Sequence, residues 1–379
     1  MKTEIRNKSF LFFLLRVLIF AALAVGIVVG INYTVDASHV ITSRSQEEMA
    51  KLVLEGNTIA VPENYNERIF QMAVIDRMTE IPETAVIGAS RGMLLGTKIT
   101  GFKNLYNNCV SGACLEDYYA ILELYRQKFS AYPSRIIVEI SPWIFFGDNP
   151  EFRWAEQYSY RTAAEALYFR LNHKKPRIRA VEVEPGSSKG QPFYSRENPF
   201  FSIPYFQYNC EMLRQKGMDA FRGDPARVST DDAEAAEYPD GSMRYPASLA
   251  DASEERLEKV KTASGPVTYE NADRMTNIDP EKREAFESLV RDLLDCGTEV
   301  IFYLQPFSPR QCWFSFDDNQ NAAFSLVEDY LREFAETNGI TVVGSYDSRK
   351  YRINDEYFMD SIHPDRDGTE IVWSTDFAE

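Results

Sequence analysis

The sequence predicts an α/β fold in which a parallel five-stranded sheet carries a long insertion and follows one transmembrane helix. Three observations support this prediction. An apolar run lies near the N-terminus, short β-branched runs alternate with amphipathic helical segments in two later parts of the chain, and the stretch between those parts lacks the alternation. The chain has 379 residues, of which 44% are hydrophobic, enough for one large domain or two smaller ones.

The apolar run covers residues 10–31 and contains one charge, Arg16. A helix of this length spans about 33 Å, enough to cross the hydrocarbon core of a bilayer. Residues 1–9 hold three bases and one acid, so the positive-inside rule places them in the cytoplasm and the rest of the chain outside. A cleaved signal peptide is the alternative. We expect an uncleaved anchor because the run is long and no A-x-A site follows it.

Residues 32–80 are predicted to form a stalk with two helices, since SQEEMAKLVLEGN and NYNERIFQMAVIDRM carry apolar residues at helical spacing. The alternation of strands and helices begins at residue 81. RGMLLG, after the first strand, is predicted to start a helix. The predicted strands are Thr84–Gly88, Phe102–Asn107, Arg135–Ile140, Glu299–Pro306 and Ile340–Val343. The predicted helices between them are Leu115–Phe129, Asp279–Gly297 and Asn321–Gly339.

Residues 151–278 interrupt this pattern as an insertion after the third strand. They are rich in Tyr, Phe, Arg and Asp, and EPGSSKGQPF and YPDGSMRYPAS are typical of loops. Such insertions lie over the carboxyl ends of strands, where open α/β sheets bind ligands. The insertion is therefore either a lid or substrate platform, or a surface subdomain without a role in binding.

The composition of the chain argues against some classes of function. The net charge of −16 repels nucleic acid, and the sequence contains no nucleic-acid-binding motif. No C-x-x-C is present and the three histidines are far apart, so we expect no zinc site and no cofactor. Five cysteines leave at least one unpaired. Cys109 and Cys114 could form a disulfide in an oxidising compartment, which the sequence does not decide.

AVIGASRGM contains the first candidate for chemistry. Ser90 follows the first strand by two residues, at a turn that would expose it at the carboxyl edge of the sheet. There its own N–H and the start of the next helix can face a developing negative charge. A serine nucleophile needs a base. The alternative is a serine that only caps the next helix.

FMDSIHPDRDG, residues 358–368, offers that base. His363 could accept the Ser90 proton through one ring nitrogen, and Asp360 could hold the other nitrogen and fix the tautomer. The alternative is a polar turn that contains a histidine. Both motifs fall where an α/β sheet would bring them together, so the pair is more specific than either half.

These motifs resemble the SGNH (GDSL-type) hydrolase superfamily. The similarity is closest to its membrane-anchored, extracytoplasmic branch, which includes DltD-like proteins and surface-polysaccharide O-acetyl esterases and transferases. YNNCVSGACLEDYYAIL resembles the N-x-G-x-S-G-x-S segment of DltD-like chains, and EISPWIFFGDN and VIFYLQPFSP also resemble that branch. The resemblance covers residues 81–150 and 279–373. It departs from the pattern where G-D-S reads G-A-S, and where G-D-N lacks the aspartate that follows in G-x-N-D.

The resemblance implies a three-layer α/β/α, flavodoxin-like arrangement over residues 81–379 and a Ser90–His363–Asp360 triad. It implies an oxyanion hole formed by Ser90, Gly112 and Asn149, although Asn149 could instead be a turn residue before a proline. Arg91 is not fixed by the family pattern. It could bind an anionic substrate group or form a structural salt bridge.

The function implied is a bacterial, membrane-anchored serine esterase or acyltransferase outside the cytoplasm. Its substrate would be an acyl ester (O-acetyl, other O-acyl or D-alanyl) of a cell-envelope polymer, a polysaccharide or a teichoic-acid-like chain, with a membrane-bound acyl-transfer protein as a possible partner. The alternative is a non-catalytic module of the same fold that binds envelope glycans or scaffolds envelope assembly.

Overall fold

A computed structural model describes residues 2–36, 41, 44–62, 66–147, 153–177, 200–221, 226–250, 254–262, 277–317 and 323–377. The chain divides into two compact units. The first, here the anchor unit, comprises Met1–Gln46, Pro62–Asn66 and Val183–Pro225. The second, here the sheet unit, comprises Glu47–Val61, Glu67–Glu182 and Ala226–Glu379.

The described residues form eight strands and thirteen α-helices. The strands are β1 (Ile59–Ala60), β2 (Thr84–Ile87), β3 (Leu105–Asn107), β4 (Arg135–Glu139), β5 (Ala236–Glu237), β6 (Met243–Arg244), β7 (Glu299–Leu304) and β8 (Thr341–Gly344). The helices are α1 (Lys2–Val35), α2 (Arg44–Leu54), α3 (Glu67–Arg77), α4 (Thr97–Thr100), α5 (Leu115–Phe129), α6 (Tyr158–Asn172), α7 (Ile203–Lys216), α8 (Ala247–Ala250), α9 (Glu254–Lys261), α10 (Pro280–Asp295), α11 (Pro309–Cys312), α12 (Ala323–Asn338) and α13 (Arg366–Asp376). Short 3₁₀ turns include Ser90–Gly92 and Pro142–Phe145.

The anchor unit is built on α1. Its stretch Phe12–Val35 is long and apolar enough to cross a membrane, with a mean hydropathy of 2.8, which confirms the predicted apolar helix. The end of α1 is held by the segment that contains α7. The buried Asn32 side chain donates to the carbonyls of Phe200 and Ser202 at 3.2 and 3.1 Å, and Asn209 donates to it at 3.2 Å. Part of the predicted insertion therefore packs against the N-terminal helix.

The sheet unit contains the predicted five-stranded parallel sheet. Its strand order is β3-β2-β4-β7-β8, and all four pairings are parallel. These are the five predicted strands, with ends that differ by at most three residues. The order of the five strands is the 2-1-3-4-5 order of doubly wound sheets. The residues of β2 are all buried, as expected for a strand covered on both faces.

The helices α5, α10 and α12 confirm the three predicted helices of this unit. Two more helices join them from segments predicted to lie elsewhere. From the predicted stalk, α3 is linked to α5 by a buried ion pair, Arg68 Nε to Asp117 Oδ1 at 2.7 Å. From the predicted insertion, α6 packs on α5, with the Tyr119 and Tyr168 rings 4.8 Å apart. Both belong to the sheet unit.

A β-hairpin formed by β5 and β6 joins β1 in a small antiparallel sheet. Its turn and β6 lie in YPDGSMRYPAS, which the sequence predicts as a loop, and β5 directly precedes that stretch. The hairpin turn is fastened to the main sheet, because Asn107 N donates to Asp240 O at 2.8 Å. The carboxylate of Asp240 also caps α4, accepting from Thr97 N and Oγ1 at 2.7 Å each. The other predicted loop, EPGSSKGQPF, lies outside the described residues.

Candidate active site

The turn that follows β2 presents Ser90. Ser90 is the first residue of the 3₁₀ turn Ser90–Gly92 and is partly exposed. The turn lies close against the end of β4: a Cβ on Gly88 would lie 2.5 Å from the Cβ of Glu139, and one on Gly92 would lie 2.9 Å from the same atom. Glycine is therefore needed at both positions, because any side chain would push the two strand ends apart.

The loop that carries His363 is organised by Asp360. Its Oδ1 accepts hydrogen bonds from the backbone N–H groups of Ile362 and His363 at 2.8 Å each. Its Oδ2 lies 2.8 Å from His363 Nδ1. One carboxylate thus fixes both the backbone of the loop and the plane of the imidazole ring.

The structure brings this loop to the serine. His363 Nε2 lies 2.8 Å from Ser90 Oγ, across 273 residues of sequence. An ionised carboxylate only accepts hydrogen bonds, so Nδ1 of a neutral His363 carries the proton that points at Asp360. Nε2 is then the acceptor for the Ser90 hydroxyl. This is the geometry in which a histidine can act as a general base toward a serine.

The charge on Asp360 suits this arrangement. Partial desolvation alone would raise the pKa of Asp360, although its side chain is 56% exposed. The hydrogen bond and charge of His363, together with the two backbone donors, outweigh this desolvation and hold that pKa below its ordinary value. The carboxylate therefore stays ionised at neutral pH and can stabilise a protonated imidazole.

Arg91 lies beneath the site rather than in it. Its side chain is fully buried, 3.7 Å from the equally buried carboxylate of Glu139 and 3.9 Å above the ring of Phe307. It donates to the carbonyl of Ile362 at 2.9 Å and to that of Gln305. These contacts favour the structural salt bridge over a substrate contact, because no part of the guanidinium faces solvent. Arg91 ties the serine turn to the histidine loop.

Glu139 completes this buried layer. Its Oε2 accepts from the Ala89 N–H and its Oε1 from the Ser141 hydroxyl, both at 2.7 Å. Burial raises the pKa of Glu139, and burial likewise lowers the pKa of the Arg91 guanidinium, because it disfavours the charged form of both groups. Nothing in the family resemblance pointed to Glu139. The available signal was a lone carboxylate at the end of the apolar strand RIIVEI.

The proposed oxyanion donors are placed as follows. The Ser90 N–H, at the start of its 3₁₀ turn, donates to none of the described residues. Gly112 lies in the loop between β3 and α5, with a φ of +56° that favours glycine, and its N–H also has no acceptor in the described part of the chain. This loop is held at the end of β2, where Val110 N donates to Gly88 O at 3.0 Å. Asn149 lies outside the described residues.

Tyr245 is a site residue that the sequence analysis missed. It follows β6, and its hydroxyl donates to the carbonyl of Ser90 at 3.2 Å. Its ring lies 6.5 Å from the ring of His363. Tyr245 lies in the segment predicted as a loop, where no periodic pattern marked it.

The cysteines carry no disulfide: all five are free thiols. The pairing of Cys109 with Cys114 that the sequence left open is not formed, and Cys114 Sγ instead donates to Asp117 Oδ2 at 3.3 Å at the start of α5. Burial raises the pKa of the Cys109 thiol well above its ordinary value. In the described part of the chain, no group of three His, Cys, Asp or Glu side chains is arranged to hold a metal ion.

Comparison with known proteins adds no family assignment: no protein-family model matches the chain, and no curated protein is significantly similar to it.

Proposed function

We propose that this chain is a membrane-anchored serine esterase or acyltransferase of the SGNH type that acts on acyl esters of a cell-envelope polymer. One observation carries the proposal: two hydrogen bonds of 2.8 Å link Ser90 to His363 and His363 to Asp360. A serine that merely caps a helix has no need of a histidine at that distance, nor of a carboxylate that fixes the histidine's tautomer.

The chemistry follows from these contacts. Ser90 Oγ forms a bond to the ester carbonyl carbon, and its proton passes to His363 Nε2. Asp360 stabilises the imidazolium that results. When the C–O bond of the ester breaks, His363 returns the proton to the departing alkoxide, and the acyl group remains on Ser90.

The second half of the reaction regenerates the free enzyme. Water, or a sugar or alditol hydroxyl, loses its proton to His363 and attacks the acyl-enzyme. Ser90 departs and recovers its proton. Water as acceptor gives an esterase and a polymer hydroxyl gives a transferase, so the outcome depends on how well the acceptor pocket excludes water.

The oxyanion of each tetrahedral intermediate is proposed to be bound by the N–H groups of Ser90 and Gly112. Both lack an acceptor among the described residues and both belong to loops at the carboxyl end of β2. Asn149 would be a third donor. Removing one such donor typically slows catalysis by about 10²–10³.

The setting of the site agrees with a polymer substrate outside the cytoplasm. The apolar stretch of α1 is long enough to anchor the chain, and the bases within residues 1–9 favour a cytoplasmic N-terminus. The five-stranded order, with Ser90 at a carboxyl strand end, is compatible with the three-layer SGNH arrangement. Tyr245 brings the insertion to the serine, which supports a role for the insertion as substrate platform.

Hydrolysis of 4-nitrophenyl acetate by the full chain in a non-ionic detergent tests the proposal. Ser90→Ala and His363→Gln are each expected to reduce kcat/KM by at least about 10³. His173→Asn, a change at an exposed histidine that ends α6 with a φ of +54°, should leave the rate unchanged. Wild-type activity in Ser90→Ala would rule out the serine mechanism. Adding glycerol and analysing products by mass spectrometry separates transfer from hydrolysis.

A further inference from the structure

A cavity of about 390 Å³ lies in the sheet unit beside the edge strand β3. This volume is within the range of small-molecule sites. Its apolar lining comes from the segment before α4, from α4 and β3, and from the β5–β6 hairpin, and comprises Leu94, Ile99, Leu105, Pro239 and Met243. Tyr238 adds an aromatic face.

Three cations line the same cavity: Lys98, Lys103 and Arg366. In the part of the chain that the structure describes, none of these three side chains forms an ion pair or a hydrogen bond. Lys98 Nζ lies 5.4 Å from the centre of the Tyr238 ring, its one described contact of this kind. The protein has a net charge of −16 and pairs many of its other cations with carboxylates, so three unpaired cations around one cavity are a local exception.

One carboxylate, Asp240, also lines the cavity. Its oxygens are already engaged: they accept from the backbone N–H and the hydroxyl of Thr97 and from the backbone N–H and hydroxyl of Ser242. Asp240 therefore serves the fold of the hairpin turn and does not pair with the three cations. The negative charge of Asp240 disfavours an anion at the hairpin end of the cavity. An anion would therefore bind near Lys98, Lys103 and Arg366.

We propose that this cavity binds a phosphate group attached to an apolar body. Three cations in the lining of one cavity exceed what one carboxylate needs, whereas a phosphate presents more oxygens and up to two charges. The apolar lining and the Tyr238 ring then take the attached carbon framework. A free inorganic phosphate would leave this lining unused, and an uncharged apolar ligand would leave the three cations unused.

The cavity adjoins both halves of the candidate active site along the chain. Leu94 is four residues after Ser90, and Arg366 is three residues after His363. The proposal does not depend on catalysis, however, because it rests on the lining of the cavity alone.

Isothermal titration calorimetry of the full chain in a non-ionic detergent tests it, with phenyl phosphate as the probe at low salt. We expect phenyl phosphate to bind more tightly than inorganic phosphate, phenol or benzoate. The variant Lys98→Gln/Lys103→Gln/Arg366→Gln should bind phenyl phosphate about 10²-fold more weakly or not at all. All three side chains are exposed, so the variant should fold.

The matched control is Lys51→Gln/Lys174→Gln/Lys259→Gln, which removes the same charge from exposed lysines elsewhere. It should bind phenyl phosphate as the wild type does. Equal affinity in the two triple variants would overturn the site. Equal affinity for benzoate would overturn the assignment to phosphate, and equal affinity for phenol would overturn the role of charge.

Phenyl phosphate binding can be tested independently of the proposed esterase function. Ser90→Ala should keep its affinity for phenyl phosphate, since Ser90 does not line the cavity. If the wild type fails to hydrolyse esters but binds phenyl phosphate in this charge-dependent way, the cavity stands and the catalytic proposal falls. Ester hydrolysis without that binding would overturn the cavity as a phosphate site and leave the catalytic proposal standing.

Discussion

Replacing Arg91 with methionine tests the buried layer that connects the serine turn to the histidine loop. Methionine keeps an unbranched apolar stem but removes the guanidinium, with its contact over Phe307, its charge and its donors to Ile362 and Gln305. Glu139 is then left fully buried without its cation, although it keeps the Ala89 N–H. Breaking a buried pair by removing one partner typically costs about 3–5 kcal/mol. At 2–4 °C per kcal/mol, Tm should fall by roughly 6–20 °C.

A double-mutant cycle separates this cause from a general packing defect. Glu139→Gln removes the stranded charge and keeps an acceptor for the Ala89 N–H. Arg91→Met/Glu139→Gln should therefore recover about 1–3 kcal/mol relative to the sum of the single losses. Thermal and urea unfolding of the full chain in detergent give the free energy of unfolding of all three variants.

The control is Arg77→Met, at a half-exposed arginine at the end of α3 that pairs with the equally exposed Glu47 of α2. An exposed pair of that kind contributes at most about 1 kcal/mol. The reasoning is refuted if Arg91→Met costs no more than this control, or if the losses from Arg91→Met and Glu139→Gln add within about 0.5 kcal/mol. Ester hydrolysis should also fall in Arg91→Met, because the His363 loop loses its attachment to the serine turn.

Three further predictions concern single positions. Asp360→Asn should lower kcat by about 10⁴ with little change in Tm, because an amide favours the wrong tautomer of His363; a drop of less than tenfold would remove Asp360 from the mechanism. Gly92→Ala would place a Cβ 2.9 Å from that of Glu139 and should cost about 1–3 kcal/mol in urea unfolding; an unchanged midpoint would contradict the close approach. Burial alone would raise the pKa of Glu328, but its hydrogen bonds and neighbouring cations hold it below 4.5. Its stabilisation is therefore complete above pH 4.5 and lost as the pH falls further, and Glu328→Gln should flatten the acid limb of Tm against pH.

The sheet was predictable because its strands are short apolar runs separated by well-marked helices. Residues 84–87 and 300–304 are buried throughout, so their sequence is almost continuously apolar. Asp279 and Gly297 bracket α10, and the Asp279 side chain does accept from the backbone N–H groups of Glu281 and Lys282. In these elements the local sequence pattern and the burial in the folded protein favour the same secondary structure. The sequence alone therefore predicts them.

The insertion was not predictable in the same way. Strands β5 and β6 have two residues each, too few for a period-2 pattern. They pair with each other, and β5 also pairs with β1, which is far away in the sequence. The position of Tyr245 depends on that pairing and on the Asp240 turn at β3. Only the tertiary structure could bring this tyrosine to Ser90.

The candidate site shows the same division. Ser90, Asp360 and His363 were identified because their spacing from strands implies a shared sheet edge. The buried role of Arg91 was one of two alternatives that the sequence left open. The choice depends on how closely β4 approaches the serine turn, which Gly88 and Gly92 permit. The sequence around these glycines does not indicate which residue packs against them, so only the structure reveals the contact with Glu139.

The most direct test of the central claim is covalent labelling of Ser90. The full chain in detergent is treated with a fluorophosphonate, digested, and mapped by mass spectrometry. We predict one adduct per chain, located on the peptide that contains Ser90, absent from Ser90→Ala and strongly slowed in His363→Gln. Labelling that is absent from the wild type, or that persists unchanged in Ser90→Ala, would contradict the proposed serine mechanism.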